Sequence, residues 1–278
     1  MSGKLFVSAD FFIARKISGS FTGILLFQVF HNPGQLGVKM SLIYTTGSKL
    51  LILCSPHNPS GRVWRREELE RIGRICMDNH VLVVSDEIHF DLISPGYKHI
   101  VFASICEEFA MNSITCTAPS KTFNLAGLQT ANIIIPNPEL RERFYDEQKK
   151  DDGNPKCNIL GLEACKIAYT ECEDWLEQVL TVIERNRQII TDFIKKEFPQ
   201  IQIMKLEGTY LLWMDFNGLG IECHELAKIL KEEAYLFFDE GFIFGESGEG
   251  FERWNLACPT RYIEEGLKRL KNTLHNHI

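Results

Sequence analysis

Leu50-Leu51-Ile52-Leu53-Cys54-Ser55-Pro56-His57-Asn58-Pro59-Ser60-Gly61 holds five apolar residues followed by a turn that no strand or helix can continue through. An unbroken apolar run of this length fits a strand buried on both faces, and two prolines and a glycine end it. Glu67 to His80 then predicts a helix, with Leu69, Ile72, Ile75 and Cys76 on one face. Val81-Leu82-Val83-Val84 is a second buried strand and runs into Ser85-Asp86-Glu87-Ile88-His89. Strand, helix, strand with both strands wholly apolar is the βαβ unit of a parallel sheet. Further on, Ser113-Ile114-Thr115-Cys116 predicts another strand. It leads into Thr117-Ala118-Pro119-Ser120-Lys121-Thr122-Phe123-Asn124, and a later apolar run is Ile133-Ile134-Ile135.

In such a sheet, ligands are met just beyond the carboxyl ends of the strands. Asn58, Asp86 and Lys121 each follow a predicted strand, so all three are expected at one edge of one sheet. Each has an ordinary explanation alone: a turn cap, a helix cap and a solvated lysine. A shared site explains all three together. A lysine fixed at the end of a core strand can serve as an amine nucleophile. Pyridoxal phosphate needs an amine to hold its aldehyde, a carboxylate to keep its ring nitrogen protonated, and a donor for its ring hydroxyl. Lys121, Asp86 and Asn58 supply one of each.

The remainder is consistent with a globular protein of 278 residues, 45% hydrophobic and 24% charged. After Arg141 the pattern turns helical. Trp175, Leu176, Val179, Leu180, Ile183, Ile190, Phe193 and Ile194 predict a long helix ending near Pro199. A smaller unit follows, with a strand at Tyr210–Asp215 and a helix at Cys223–Glu233. The glycine-rich loop from Gly241 to Gly250 lacks the strand-to-helix setting of a dinucleotide fingerprint. Residues 1–46 show no clean period. Their apolar run, Ile24-Leu25-Leu26-Phe27, is too short for a bilayer, and no signal peptide is read there. Nine cysteines without a C-x-x-C pair point to a reducing, cytoplasmic setting, and no metal ligands are read. A net charge of −7 gives no reason to expect nucleic acid.

Ser55-Pro56-His57-Asn58-Pro59-Ser60-Gly61, Ser85-Asp86-Glu87-Ile88-His89 and Ser120-Lys121-Thr122-Phe123-Asn124, in that order, resemble the class I/II aminotransferase superfamily. Within it they are most similar to the MalY/PatB branch of cystathionine β-lyases. The resemblance runs from about residue 47 to the C-terminus. It implies fold type I: a mainly parallel α/β large domain with a smaller α+β C-terminal domain, in a homodimer. The implied division is a divergent segment 1–46, a partial cofactor-binding domain 47–174, and a linking helix with small domain 175–278. It also implies pyridoxal 5′-phosphate bound covalently to Lys121, with Asp86 on the ring nitrogen and Asn58 on the ring hydroxyl. His89 is the residue type of the lyase branch where many transaminases carry tyrosine. Ser120 is implied at the phosphate, and Arg253, in Phe251-Glu252-Arg253-Trp254-Asn255, at the substrate α-carboxylate. Gln129 stands where many transaminases have a phosphate-binding arginine, a further likeness to the lyases.

The expected reaction is α,β-elimination on a cystathionine- or cysteine-type amino acid. Lys121 removes the Cα proton, a thiol leaves the β-carbon, and pyruvate and ammonia follow. For cystathionine the thiol is homocysteine. Two rivals remain: an aminotransferase, and a shortened relative that acts by binding a partner protein. The second rests on residues 1–46, which match neither the family's first strands nor the helix that cradles the cofactor phosphate.

Overall fold

The computed structural model describes residues 24–26, 29–30, 39–40, 48–152 and 157–278. β1 (Ile24–Leu26) is followed by the paired short strands β2 (Val29–Phe30) and β3 (Lys39–Met40). Then come β4 (Leu50–Cys54), α1 (Arg66–Asp78), β5 (Leu82–Asp86), α2 (Glu107–Met111) and β6 (Ser113–Thr117). The short helix α3 (Pro119–Thr122) leads to β7 (Asn132–Ile134). The sheet order is β1-β4-β5-β6-β7, with the first four strands parallel and β7 antiparallel. The expected βαβ unit is therefore present. The apolar run at Ile24, which showed no readable period, is a strand beside β4. Other expectations for residues 1–46 lie outside the described residues.

Apolar side chains on both sheet faces explain the buried runs. Leu51, Leu53 and Val83 pack with Leu69, Ile72 and Cys76 of α1 and with Phe102 and Phe109. Leu50, Val84 and Ile114 pack on the other side with Ile135. Helix α1 starts in a capping box, where Glu68 Oε2 accepts from the Arg65 N–H at 3.0 Å.

The second half holds α4 (Pro138–Asp152), α5 (Ile159–Glu171) and α6 (Glu173–Glu197). Next come β8 (Gln202–Ile203), β9 (Leu211–Asp215), α7 (Cys223–Lys228), β10 (Asp239–Glu240), β11 (Phe251–Asn255) and α8 (Thr260–Leu274). The antiparallel sheet β10-β11-β9-β8 packs with α6 and α8 around Ile190, Ile194, Leu212, Met214, Leu267 and Leu270. The helix expected to reach Glu233 is α-helical only to Lys228. It then widens into a π turn, with Ala234 N–H donating to Ile229 O at 3.1 Å, before Tyr235 takes a left-handed φ of 54°.

Backbone hydrogen bonds join the two sheets. Gly61 O accepts from the N–H groups of Glu207 and Gly208, both at 2.9 Å, and Leu92 O accepts from Thr209 at 2.6 Å. Gly61 has φ +67°, which favours glycine, and a Cβ there would lie 2.5 Å from Leu206 Cδ1 and 3.2 Å from Gly208 O. Among the described residues no helix is long and apolar enough to cross a membrane.

Candidate active site

Parallel register sets Cys54 opposite Asp86 and Asp86 opposite Cys116, so β4, β5 and β6 end side by side. Asn58 follows the first of these ends, Asp86 closes the second, and Lys121 follows the third within α3. The expected edge is thus formed.

Asp86 and Glu87 are both buried but serve different ends. The Glu87 carboxylate is occupied inside the fold. It accepts from Ser85 Oγ at 2.8 Å and Phe102 N–H at 3.0 Å, and lies 2.7 Å from His99 Nε2. Asp86 Oδ1 accepts from the Ile88 N–H at 3.3 Å, a bond that shapes the turn carrying His89.

The turn bearing Lys121 is tied down on its far side. Thr122 Oγ1 donates to Asp91 Oδ2 at 2.8 Å, and the Tyr169 hydroxyl reaches the same oxygen at 3.4 Å. Burial holds the Asp91 carboxyl above its ordinary range, despite those two hydrogen bonds. Phe123 packs edge-on against Tyr169 and stacks against Trp175. The Lys121 amine itself is half-buried and has no hydrogen-bond or ion-pair partner among the described residues.

His89 is 2% exposed, and its Nδ1 is buried without a hydrogen-bond partner. Burial pushes its pKa down to about 3, helped by the positive charges of Lys121 and Arg253. One charge sits on α3, just after β6 of the first sheet, and the other on β11 of the second, so the imidazole marks where the two halves of the site meet. Tyr210 stands edge-on to it, with ring centroids 5.7 Å apart. The residue before that tyrosine, Thr209, is β-branched yet has φ +69°, a strained conformation held by its bond to Leu92 O.

Arg253, on β11, crosses to the first sheet. Its Nη1 donates to Asn58 Oδ1 at 2.6 Å. Its Nε and Nη2 donate to Asp239 Oδ2 at 3.1 and 2.6 Å, and the guanidinium carbon lies 4.8 Å from the Phe244 ring centroid.

The structure therefore brings Asn58, Asp86, His89, Lys121 and Arg253 together, and Ser120 shares the Lys121 turn. Gln129 is exposed, at a left-handed φ of 51°. Sequence reasoning missed Asp91, Tyr210 and Asp239. Asp91 and Asp239 sit in stretches with no distinguishing pattern. Tyr210 borders a strand and reads as a packing residue; only the strained Thr209 sets it apart, and that is invisible in sequence. Chemically, the site offers an amine with no partner among the described residues, a buried carboxylate, a neutral imidazole and a guanidinium with N–H groups to spare. That set suits a ligand carrying a carbonyl and an anion.

The profile of the family described as Aminotransferase class I and II matches residues 39–270. Cystathionine beta-lyase PatB of Bacillus subtilis (strain 168) is 41% identical over 225 residues, which is 81% of this chain and 58% of that protein. Protein MalY of Escherichia coli (strain K12) is 34% identical over 227 residues, 81% of this chain and 57% of that one. The chain thus spans less than two thirds of the length of both relatives. Among solved structures, cystalysin from Treponema denticola, which contains a pyridoxal 5′-phosphate cofactor, superposes with a TM-score of 0.90. It is 38% identical, and the match covers 97% of this chain and 75% of that one.

Proposed function

The chain belongs to the class I and II aminotransferase family, with the type I fold of its pyridoxal-phosphate-dependent members, and from that premise we propose that it is a carbon–sulfur lyase. Its reaction is α,β-elimination on cystathionine- or cysteine-type amino acids, releasing a thiol, pyruvate and ammonia. The cofactor is pyridoxal 5′-phosphate. The observation carrying this reading is that the buried His89, with an orphaned Nδ1, feels the positive charges of both Lys121, after β6, and Arg253, on β11. Among the described residues the buried His89 Nδ1 has no partner, which is costly unless a ligand completes it, and the half-buried Lys121 amine is open to one, so the residues fit the cofactor. PatB, the cystathionine beta-lyase reported above, favours the lyase over the transaminase.

When bound, the cofactor withdraws electrons from the substrate Cα so that its proton can leave. Lys121 Nζ would hold the cofactor aldehyde, and its free amine would accept the Cα proton. Asp86 keeps a proton on the ring nitrogen. Asn58 Nδ2 would donate to the ring hydroxyl while its Oδ1 stays on Arg253. His89 would flank the ring as a neutral imidazole, and the Ser120 hydroxyl would donate to the phosphate. Arg253 binds the substrate α-carboxylate.

We further propose a cytoplasmic homodimer. Ile159, Leu160 and Leu162 of α5 are more than half exposed, an apolar face suited to a second copy, and the nine cysteines include no C-x-x-C pair. The proposed division is 1–46, 47–174 and 175–278, in keeping with separate cores around the two sheets.

The test uses purified protein with added pyridoxal phosphate. A visible absorption band, a borohydride-fixed adduct mapped to Lys121, and pyruvate released together with thiol from cystathionine support the reading. Amino transfer to an added keto acid, without thiol release, indicates an aminotransferase. No cofactor uptake at all overturns the enzymatic reading in favour of a protein-binding role.

A further inference from the structure

We propose that Asp239 is the positioning residue that presents Arg253 to the substrate carboxylate; this rests on the assignment of Arg253 above. A guanidinium has five N–H donors in a fixed plane. Three are engaged inside the protein: Nε and one on Nη2 with Asp239 Oδ2, and one on Nη1 with Asn58 Oδ1. Two are left, one on each terminal nitrogen, and a carboxylate docks on just such a pair. Phe244 covers the guanidinium, so the arginine is restrained by ring contact as well as by hydrogen bonds.

The restraint is built into the sheet. Asp239 and Arg253 are directly opposed in the antiparallel pairing of β10 with β11, so backbone register delivers the carboxylate to the Nε edge. The Arg253 side chain is only 14% exposed, whereas that of Asp239 is 48% exposed. A half-exposed carboxylate is screened by water, so it offsets little of the guanidinium's charge. It still fixes a long side chain that would otherwise sample many rotamers. Orientation outweighs competition, and Asp239 raises affinity for the substrate carboxylate.

The experiment compares wild type, D239A, D239N and R253A as holoenzymes. The probes are L-alanine and L-alaninamide as competitive inhibitors, which share the amine and differ in the carboxylate. For D239A the alanine Ki and the substrate KM are expected to rise about tenfold. The alaninamide Ki should hold, and kcat should change less than threefold or so, the pattern of lost ground-state binding. D239N keeps a neutral acceptor of the same shape and is expected to fall between D239A and wild type. In 15N-arginine-labelled protein without cofactor, the Arg253 Nε–H signal should be slow to exchange in wild type and fast in D239A. An unchanged or lower alanine Ki in D239A, while R253A loses its preference for alanine, overturns the role of Asp239 and leaves that of Arg253. An R253A variant that keeps the preference overturns both.

Discussion

Replacing Glu252 by glutamine is expected to stabilise the protein selectively at alkaline pH. Glu252 is 3% exposed on β11, and its register partner on β10 is Glu240. Burial, with the negative charges of Glu240 and Asp239, pushes its pKa up from 4.5 to about 8. The folded state therefore keeps a proton that the unfolded chain releases. This group's contribution to stability is complete below pH 4.5 and is lost as the pH rises through about 8. At about 1.4 kcal/mol per unit, the loss between pH 5 and pH 8 is about 3 kcal/mol. Two histidines act in the opposite sense at lower pH. Burial lowers His57 to about 4 and His89 to about 3, so their neutral forms lose stability only as the pH falls below about 6.5. Their effect is common to wild type and variant, so the difference between the two proteins isolates Glu252. Urea unfolding at pH 5, 6.5 and 8 should show the E252Q advantage growing steadily with pH. Parallel pH profiles for the two proteins would refute the argument, because they would mean that Glu252 titrates alike in the folded and unfolded chains.

Other expectations follow from the same contacts. Lys121→Ala should abolish the borohydride-fixed adduct and thiol release, with circular dichroism and melting close to wild type, because the amine has no hydrogen-bond or ion-pair partner among the described residues. An adduct persisting at another lysine would show that the wrong residue was chosen. Asp86→Asn should retain cofactor, judged by absorbance after gel filtration, yet lose at least about 100-fold in kcat, since an amide cannot keep the ring nitrogen protonated. Asn186 is wholly buried, and its Nδ2 donates to the carbonyls of Leu256 and Cys258, each at 2.9 Å. Asn186→Ala should cost about 2–4 kcal/mol in urea unfolding by removing both bonds and leaving a cavity, although Leu256 O keeps its bond from the Cys258 N–H; a loss under about 0.5 kcal/mol would mean that water replaces the amide.

The three strand ends were legible because their signals are local. Runs such as Leu50–Cys54 and Val81–Val84 are too apolar to face water, and the turns after them carry residues that cannot continue a strand. Once parallel pairing is inferred, Asn58, Asp86 and Lys121 must share an edge. Ser55–Gly61, Ser85–His89 and Ser120–Asn124 together carry the family resemblance, and the match across residues 39–270 agrees with it. The β1 strand was not legible, since three apolar residues have no period of their own until β4 pairs with them. The π turn after Lys228 was missed because its cause is tertiary. The helical period in the sequence continues through Ile229 and Leu230, and only the buried packing of those residues fixes where the turn widens.

By itself, then, the sequence determined the kinds of chemical group at the site and the strand ends that present them, because residue type and hydrophobic run length are properties of a short segment. The tertiary structure decided how those groups are partnered. Which of the consecutive acids Asp86 and Glu87 is consumed by the core depends on where His99 and Phe102 come to lie. That Arg253 reaches Asn58, 195 residues away in the chain, depends on the backbone bonds from Gly61 to Gly208 that set one sheet against the other. That Asp239 meets Arg253 depends on the register of β10 against β11, where a shift of one residue would present Glu240 instead and turn the side chains to the other face.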